Sequence, residues 1–299
     1  MKKWLRVTLS IVLALLIIFV GISAYVGYSM TRVERVPLTE NPSVMGLAYE
    51  NVAFPSMDED LTLRGWFLPG NATYPAIIMV HGNGHNRDDP TIGTLDIAAE
   101  LVETGYNVLM FDLRGYGESD GSTVGGGYLE KRDLEGAVAY IESRGLDRIG
   151  VIGFSLGAVT ALLAAAEDNG IAAVVSDSSY GDLNDVMEPE FEKRTKAPTI
   201  FLHPILFMIK IIYGVDFAAI RPVAVVSEID PRPILFVHGS DDTTIPASHA
   251  SRLFEAAQNP QDELWIVPGA EHTRAYKMHP AEYMQKVTDF FDAALETVQ

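Results

Sequence analysis

The run Gly150-Val151-Ile152-Gly153-Phe154-Ser155-Leu156-Gly157-Ala158 limits the fold more than any other part of the chain. The apolar stretch at 148–153 has the length of a buried strand, and an alanine-rich helical pattern at 156–167 follows almost at once. A chain that passes so quickly from strand to helix must bend sharply, which strains the backbone at Ser155. Gly153 and Gly157 remove the side chains that would collide as the two elements close. Such a turn leaves the Ser155 hydroxyl at the carboxyl end of the strand. It also sets the hydroxyl over a helix N-terminus, whose free N–H groups favour developing negative charge.

The rest of the body repeats this rhythm. Residues 49–54 and 61–68 read as strands, with Pro69-Gly70-Asn71 as a turn. Apolar runs at 76–81, 107–112, 148–153, 171–176, 233–238 and 264–267 then alternate with helical patterns at 91–104, 128–143, 156–167, 247–257 and 281–297. Short apolar runs separated by amphipathic helices give right-handed βαβ units on a mostly parallel sheet. In such sheets, ligands bind at the carboxyl ends of the strands. His81-Gly82-Asn83, Asp112, Ser155, Asp177, Asp242 and His272 all fall at those ends.

One region, 178–232, interrupts the rhythm. Its stretch 199–213 is markedly apolar, with Lys210 its single Lys, Arg, Asp or Glu, and is too short to span a bilayer comfortably. It suits a helix buried against the core. It equally suits a cap over the site, dipping into a membrane surface.

Between Val7 and Met30 no side chain is charged, a length that matches a bilayer-crossing helix and exceeds the apolar core of a cleaved signal peptide. Gly27-Tyr28-Ser29 is only a passable cleavage site. The expected organisation is a signal anchor at 1–30, a polar, proline-containing linker at 31–45 and one domain at 46–299. Lys2, Lys3 and Arg6 precede the apolar run and direct its N-terminus to the cytoplasm, so the body is expected outside it in a single-pass arrangement. Arg32 and Arg35, basic on the far side, pull against that orientation.

The net charge is −18, although residues 1–36 hold five basic side chains and one acidic one. So acidic a body repels nucleic acid, and no basic stripe offsets this. With no cysteine, disulfides and thiolate metal sites are excluded.

A serine hydroxyl needs an adjacent base to act as a nucleophile, and a histidine base needs a carboxylate to orient it. Of the 7 histidines, His272, in Val267-Pro268-Gly269-Ala270-Glu271-His272, is the one that follows an acid candidate and sits on a loop after a strand. The acid lies in Gly239-Ser240-Asp241-Asp242, where either aspartate fits the spacing. Oxyanion stabilisation needs N–H donors. Leu156, just past the serine, supplies one, and Asn83, in the loop after the 76–81 run, supplies the other.

Taken together, His81-Gly82-Asn83, Asp112-Leu113-Arg114-Gly115-Tyr116-Gly117-Glu118-Ser119, Gly153-Phe154-Ser155-Leu156-Gly157, His238-Gly239-Ser240-Asp241-Asp242 and Gly269-Ala270-Glu271-His272 resemble the α/β-hydrolase superfamily. The chain is similar to its small membrane-anchored serine hydrolases, of the prolyl-oligopeptidase-like and acylhydrolase branches. The resemblance covers about 45–299. It implies an α/β-hydrolase fold with a mostly parallel central sheet, flanking helices and a small helical cap insert at about 178–232, behind an N-terminal transmembrane helix. It implies Ser155 as nucleophile, Asp242 rather than Asp241 as acid, His272 as base, and the backbone N–H groups of Asn83 and Leu156 as oxyanion donors. The expected reaction is cleavage of a carboxylic ester or thioester, on a small-molecule or lipid-like acyl substrate, without metal or cofactor. A peptidase, or a non-catalytic tethered binding protein on the same fold, is the alternative.

Overall fold

The computed structural model describes residues 2–57 and 60–295. The charge-free run and the basic residues before it form one 29-residue helix, α1 (Lys2–Met30). It is long and apolar enough to cross a membrane. Residues 3–22 are exposed around the whole helix, and contact with the body begins at Ser23.

The body is built on eight strands: β1 (Glu50–Pro55), β2 (Thr62–Leu68), β3 (Ala76–Val80), β4 (Asn107–Phe111), β5 (Ile149–Phe154), β6 (Ile171–Asp177), β7 (Ile234–Gly239) and β8 (Glu263–Val267). They form one sheet in the order β1-β2-β4-β3-β5-β6-β7-β8. The β1–β2 and β2–β4 pairs are antiparallel, and every pair from β4 to β8 is parallel. The helices are α2 (Thr94–Glu103), α3 (Glu130–Ser143), α4 (Leu156–Glu167), α5 (Leu183–Thr195), α6 (Leu202–Tyr213), α7 (Ser248–Ala257), α8 (Ala275–Met278) and α9 (Pro280–Leu295). The end of the last expected helix, at 296–297, lies outside the described residues. The short helix α8 is not legible in the pattern.

The strands β3, β4, β5 and β7 are buried at every position because both faces of the sheet are covered. Successive side chains point to opposite faces. On β3, Ile78 and Val80 join the core under α3, α4 and α7, whereas Ile77 and Met79 join the core under α2, α8 and α9.

Region 178–232 holds α5, α6 and a series of 3₁₀ turns, with no strand. A third cluster joins it to the body: Ile205 and Ile209 of α6 meet Phe217, Ile220, Tyr180 and Leu183, and reach Val159 on α4 and Ile245 after β7. The helix α6 is not the core helix that its composition allows, since only Leu202, Ile205 and Ile209 are buried. An apolar composition cannot show whether a helix faces the core or something outside it.

The segment 31–45 lies along the body. Arg35 donates from Nη1 to the carbonyls of Tyr116, Gly117 and Ser119, and from Nη2 to that of Gly121. Val124 N–H donates to the carbonyl of Thr31, and Arg32 donates to Ser122 Oγ while lying over the Tyr28 ring. The carboxylate of Asp88 accepts the N–H groups of Thr39 and Glu40.

Candidate active site

The sharp turn at Ser155 follows from its neighbours. Ser155 has φ 52° and ψ −110°, a region that a residue with a Cβ rarely adopts and that costs about 1–3 kcal/mol. Its N–H donates to the carbonyl of Asp177 (2.8 Å), and its carbonyl accepts from Ala158 and Val159, so both sides of the strained residue are held. A Cβ on Gly157 would stand 2.1 Å from the carbonyl oxygen of Val80, and one on Gly153 would stand 2.3 Å from that of Gly157. The glycines therefore let α4 close onto both β5 and the end of β3.

The loop after β3 is held against this turn. His81 is buried, and burial lowers its pKa, which favours the neutral ring. Nδ1–H donates to the carbonyl of Gly82 (2.8 Å), leaving Nε2 to accept the N–H of Leu113 (3.0 Å). The histidine thus braces the loops after β3 and β4 against each other. An added Cβ on Gly82 would sit 3.6 Å from Ser155 Cβ. Asn83 is exposed, and its Oδ1 accepts from the hydroxyl of Tyr116 (2.5 Å). Among the described residues its N–H has no hydrogen-bond acceptor. Leu156 is the first residue of α4, so its N–H has no partner within the helix.

Asp242 and His272 come from the loops after β7 and β8. The structure brings Ser155, His272 and Asp242 together. Nε2 of His272 lies 2.9 Å from Ser155 Oγ, and Nδ1 lies 2.7 Å from Asp242 Oδ2. An ionised carboxylate can only accept, so Nδ1 carries the proton and Nε2 is free to accept from the serine. Asp242 Oδ1 accepts the N–H groups of Thr244 and Ile245, both at 2.8 Å. Burial would raise its pKa, but hydrogen bonds from His238 and His272, the charge on His272 and the Ile245 N–H outweigh this and hold the carboxyl well below the usual range. Asp241 faces away: it is exposed and accepts from Ser240 Oγ.

Four residues around this relay, His238, Asp177, Ser178 and Thr273, carry no signal in the sequence for the parts they play. His238, with no exposure, places Nε2 3.3 Å from Asp242 Oδ2 and 2.7 Å from the carbonyl of Ile245. The hydroxyl of Ser178 donates to Asp177 Oδ1 (2.8 Å) and accepts the N–H of Thr273, next to the base (3.1 Å). Thr273 has φ 55°, so the His272 loop is also held in an uncommon backbone state. Burial pushes the Asp177 carboxyl up to about 6. An aspartate ending a strand and a histidine ending the next were visible, but not that both sit beneath the relay.

Arg114 and the glycines near it belong to loop structure. Arg114 donates through Nε and Nη2 to the carboxylate of Asp133, and both residues are buried. Gly117, at φ 42°, lies against Asp112, whose Oδ2 a Cβ would approach to 2.1 Å. Among the described residues no group of three or more His, Asp or Glu side chains could hold a metal ion.

Comparison with known proteins agrees with the fold. Residues 75–202 match the family model for the alpha/beta hydrolase fold. The YqkD protein of Bacillus subtilis is 31% identical over 235 residues, covering 77% of this chain and 75% of its own. The chain belongs to the α/β-hydrolase family. The YfhR protein of Escherichia coli K12 is 29% identical to this hydrolase over 262 residues, covering 82% of this chain and 81% of its own. An esterase of Pyrococcus furiosus superposes on the hydrolase with a TM-score of 0.75 at 25% identity, over 89% of this chain and 98% of its own.

Proposed function

We propose that this hydrolase is a membrane-tethered serine esterase that cleaves carboxylic esters or thioesters through an acyl-enzyme. One observation carries the reading: a single imidazole bridges the hydroxyl of Ser155 and the carboxylate of Asp242 at hydrogen-bond distance on both sides. The structural likeness to an esterase supports an ester over other acyl substrates.

In this reading Ser155 Oγ attacks the substrate carbonyl as His272 Nε2 takes its proton. The imidazolium that forms is stabilised by Asp242, already ionised and fixed by two backbone N–H groups. The carbonyl oxygen becomes an oxyanion and accepts from the N–H groups of Leu156 and Asn83. Collapse expels the alcohol or thiol, which takes the proton from His272, and leaves Ser155 acylated. Water, deprotonated by His272, then attacks the acyl carbon, and the acid leaves as Ser155 regains its proton.

In the same reading α1 crosses the membrane, residues 46–299 form the catalytic domain, and that domain faces away from the cytoplasm. Lys2, Lys3 and Arg6 at the start of α1 support that orientation. Arg32 and Arg35, which read as an opposing signal, are engaged by Ser122 and by loop carbonyls.

The test is labelling with a fluorophosphonate probe, followed by a chain-length series of p-nitrophenyl esters. The wild type should label and turn over, and Ser155→Ala should do neither. Labelling that survives Ser155→Ala would remove the serine from the mechanism.

A further inference from the structure

The cap helix α6 is clamped to the end of α1, and its opposite face is left open. On α1, Ser23 and Gly27 stand four residues apart and are both buried, so one side of the last two turns is small. A Cβ on Gly27 would lie 3.0 Å from Ile209 Cγ1 and 3.4 Å from the carbonyl of Ile205. Small residues at this spacing let two helices approach closely, as in membrane helix pairs. Val26 and Met30 pack into the same cluster as Ile205, Ile209 and Tyr213.

The side of α6 away from Ile205 and Ile209 carries Phe207 and Ile211, one turn apart and each 61% exposed. Ile212 is exposed beside them, as are Ile200 and Phe201 in the turn before the helix. The charge on Lys210 is met by Asp216 at 2.5 Å.

We propose that this open face of α6 docks into the phospholipid bilayer at the end of α1, so that anchor and cap form one lipid-facing unit. The depth follows from length. The charge-free run from Val7 to Met30 extends about 36 Å at 1.5 Å per residue, more than the roughly 30 Å of bilayer hydrocarbon. With Lys2, Lys3 and Arg6 holding the start of the run at one interface, the excess of about 6 Å falls at the other end, so the last turn of α1, within the stretch seated on α6, lies at the boundary between acyl chains and headgroups. Large apolar side chains held there meet lipid on each side that protein does not cover. A helix lying in that zone with an apolar face towards the acyl chains is a stable arrangement. The proposal rests on α1 crossing the membrane, as read above.

The chain has no cysteine, so single cysteines can be introduced and labelled without a background. The full-length protein is prepared with an environment-sensitive fluorophore at Phe207→Cys, and separately at Ile211→Cys. Leu13→Cys reports an exposed position within the bilayer-crossing part of α1. Ala72→Cys, in the exposed loop before β3 at the opposite end of the strands from Ser155, reports water. Each is reconstituted into phosphatidylcholine–phosphatidylglycerol nanodiscs and quenched with aqueous iodide or with lipid carrying a nitroxide on its acyl chain. The labels at 207 and 211 should resist iodide severalfold better than the label at 72, shift their emission to the blue, and be quenched by the nitroxide lipid. Iodide quenching at both 207 and 211 equal to that at 72, with the label at 13 protected, would overturn the docking. Quenching of the label at 13 by iodide would overturn it as well, by removing α1 from the bilayer. Depth is read equally well in a Ser155→Ala background, so failure here is separable from failure of the esterase reading.

Discussion

Nε2 of His272 lies 2.9 Å from Oγ of Ser155, although 117 positions separate the two residues along the chain. In the proposed mechanism, losing either partner removes the activated nucleophile. Ser155→Ala and His272→Ala should each lower kcat for a p-nitrophenyl ester by about a thousandfold or more, with the melting temperature close to that of the wild type. Asp242→Asn should cost a comparable factor by favouring the wrong tautomer of His272. Asp241→Asn should leave turnover near the wild-type rate. The reverse ranking of the two aspartates would reject the relay as drawn.

At Asn83 the donor assigned to the oxyanion is the backbone N–H, and the side chain is engaged elsewhere, by the hydroxyl of Tyr116. Asn83→Ala should therefore keep kcat/KM within about tenfold of wild type, well short of the hundredfold or more expected when an oxyanion donor is lost. Steady-state kinetics on one ester substrate decides the matter. A thousandfold loss would mean that the side chain itself donates.

Gly157 stands where the helix after the serine meets the end of β3. A methyl group there would stand 2.1 Å from the carbonyl of Val80 and 2.7 Å from that of His81, and backbone on both sides leaves it nowhere to move. Gly157→Ala should lower the melting temperature and displace the turn, removing activity even in the fraction that folds. Circular dichroism and probe labelling of the soluble fraction read the two effects separately.

The two buried carboxyls beneath the site pull stability in opposite directions with pH. Burial holds Asp177 at about 6 against an ordinary value of 3.8, so between those values the folded chain binds more protons than the unfolded one. Its contribution then weakens as pH rises from about 4 to 6. Asp242 is held low, so its stabilisation is present above about pH 4 and fades below it. Asp177→Asn should flatten the loss of stability between pH 4 and 6 and leave the acid-side loss in place. Differential scanning calorimetry across pH 3–8 measures both limbs, and an unchanged slope between 4 and 6 would contradict the assignment.

Arg114 is buried with its guanidinium against Asp133, also buried. Removing one partner of such a pair strands the other charge away from water. Arg114→Ala should cost on the order of 3–5 kcal/mol in denaturant unfolding, with turnover per folded molecule little changed. A large loss of turnover without loss of stability would give Arg114 a part in the chemistry.

The site was legible because each of its loops follows a short apolar run, and strand ends can be counted along a sequence. The parallel sheet was legible for the same reason. The choice between Asp241 and Asp242 was not readable from spacing. It depends on Asp241 N–H bonding to the carbonyl of Ala270, a contact set by where β7 and β8 end relative to each other. His238 was visible at the end of an apolar run, but nothing local announces that its ring turns towards a carboxylate four residues on. The helix at 199–213 was legible as a helix, but its seat on α1 depends on Ser23 and Gly27, some 180 residues earlier, whose smallness acquires meaning only when the two helices cross.

The Arg35 fork holds the carbonyls of the very loop whose Tyr116 hydroxyl steadies Asn83. Two side chains thus link the end of α1 to Asn83, the residue assigned to the oxyanion in the proposed mechanism. With α1 in a bilayer, as proposed, motion transmitted from the lipid would arrive at that loop directly, without first passing through the sheet. Exchanging the natural leader for an unrelated one would then change the mechanical boundary of the proposed site, even with every reacting atom kept.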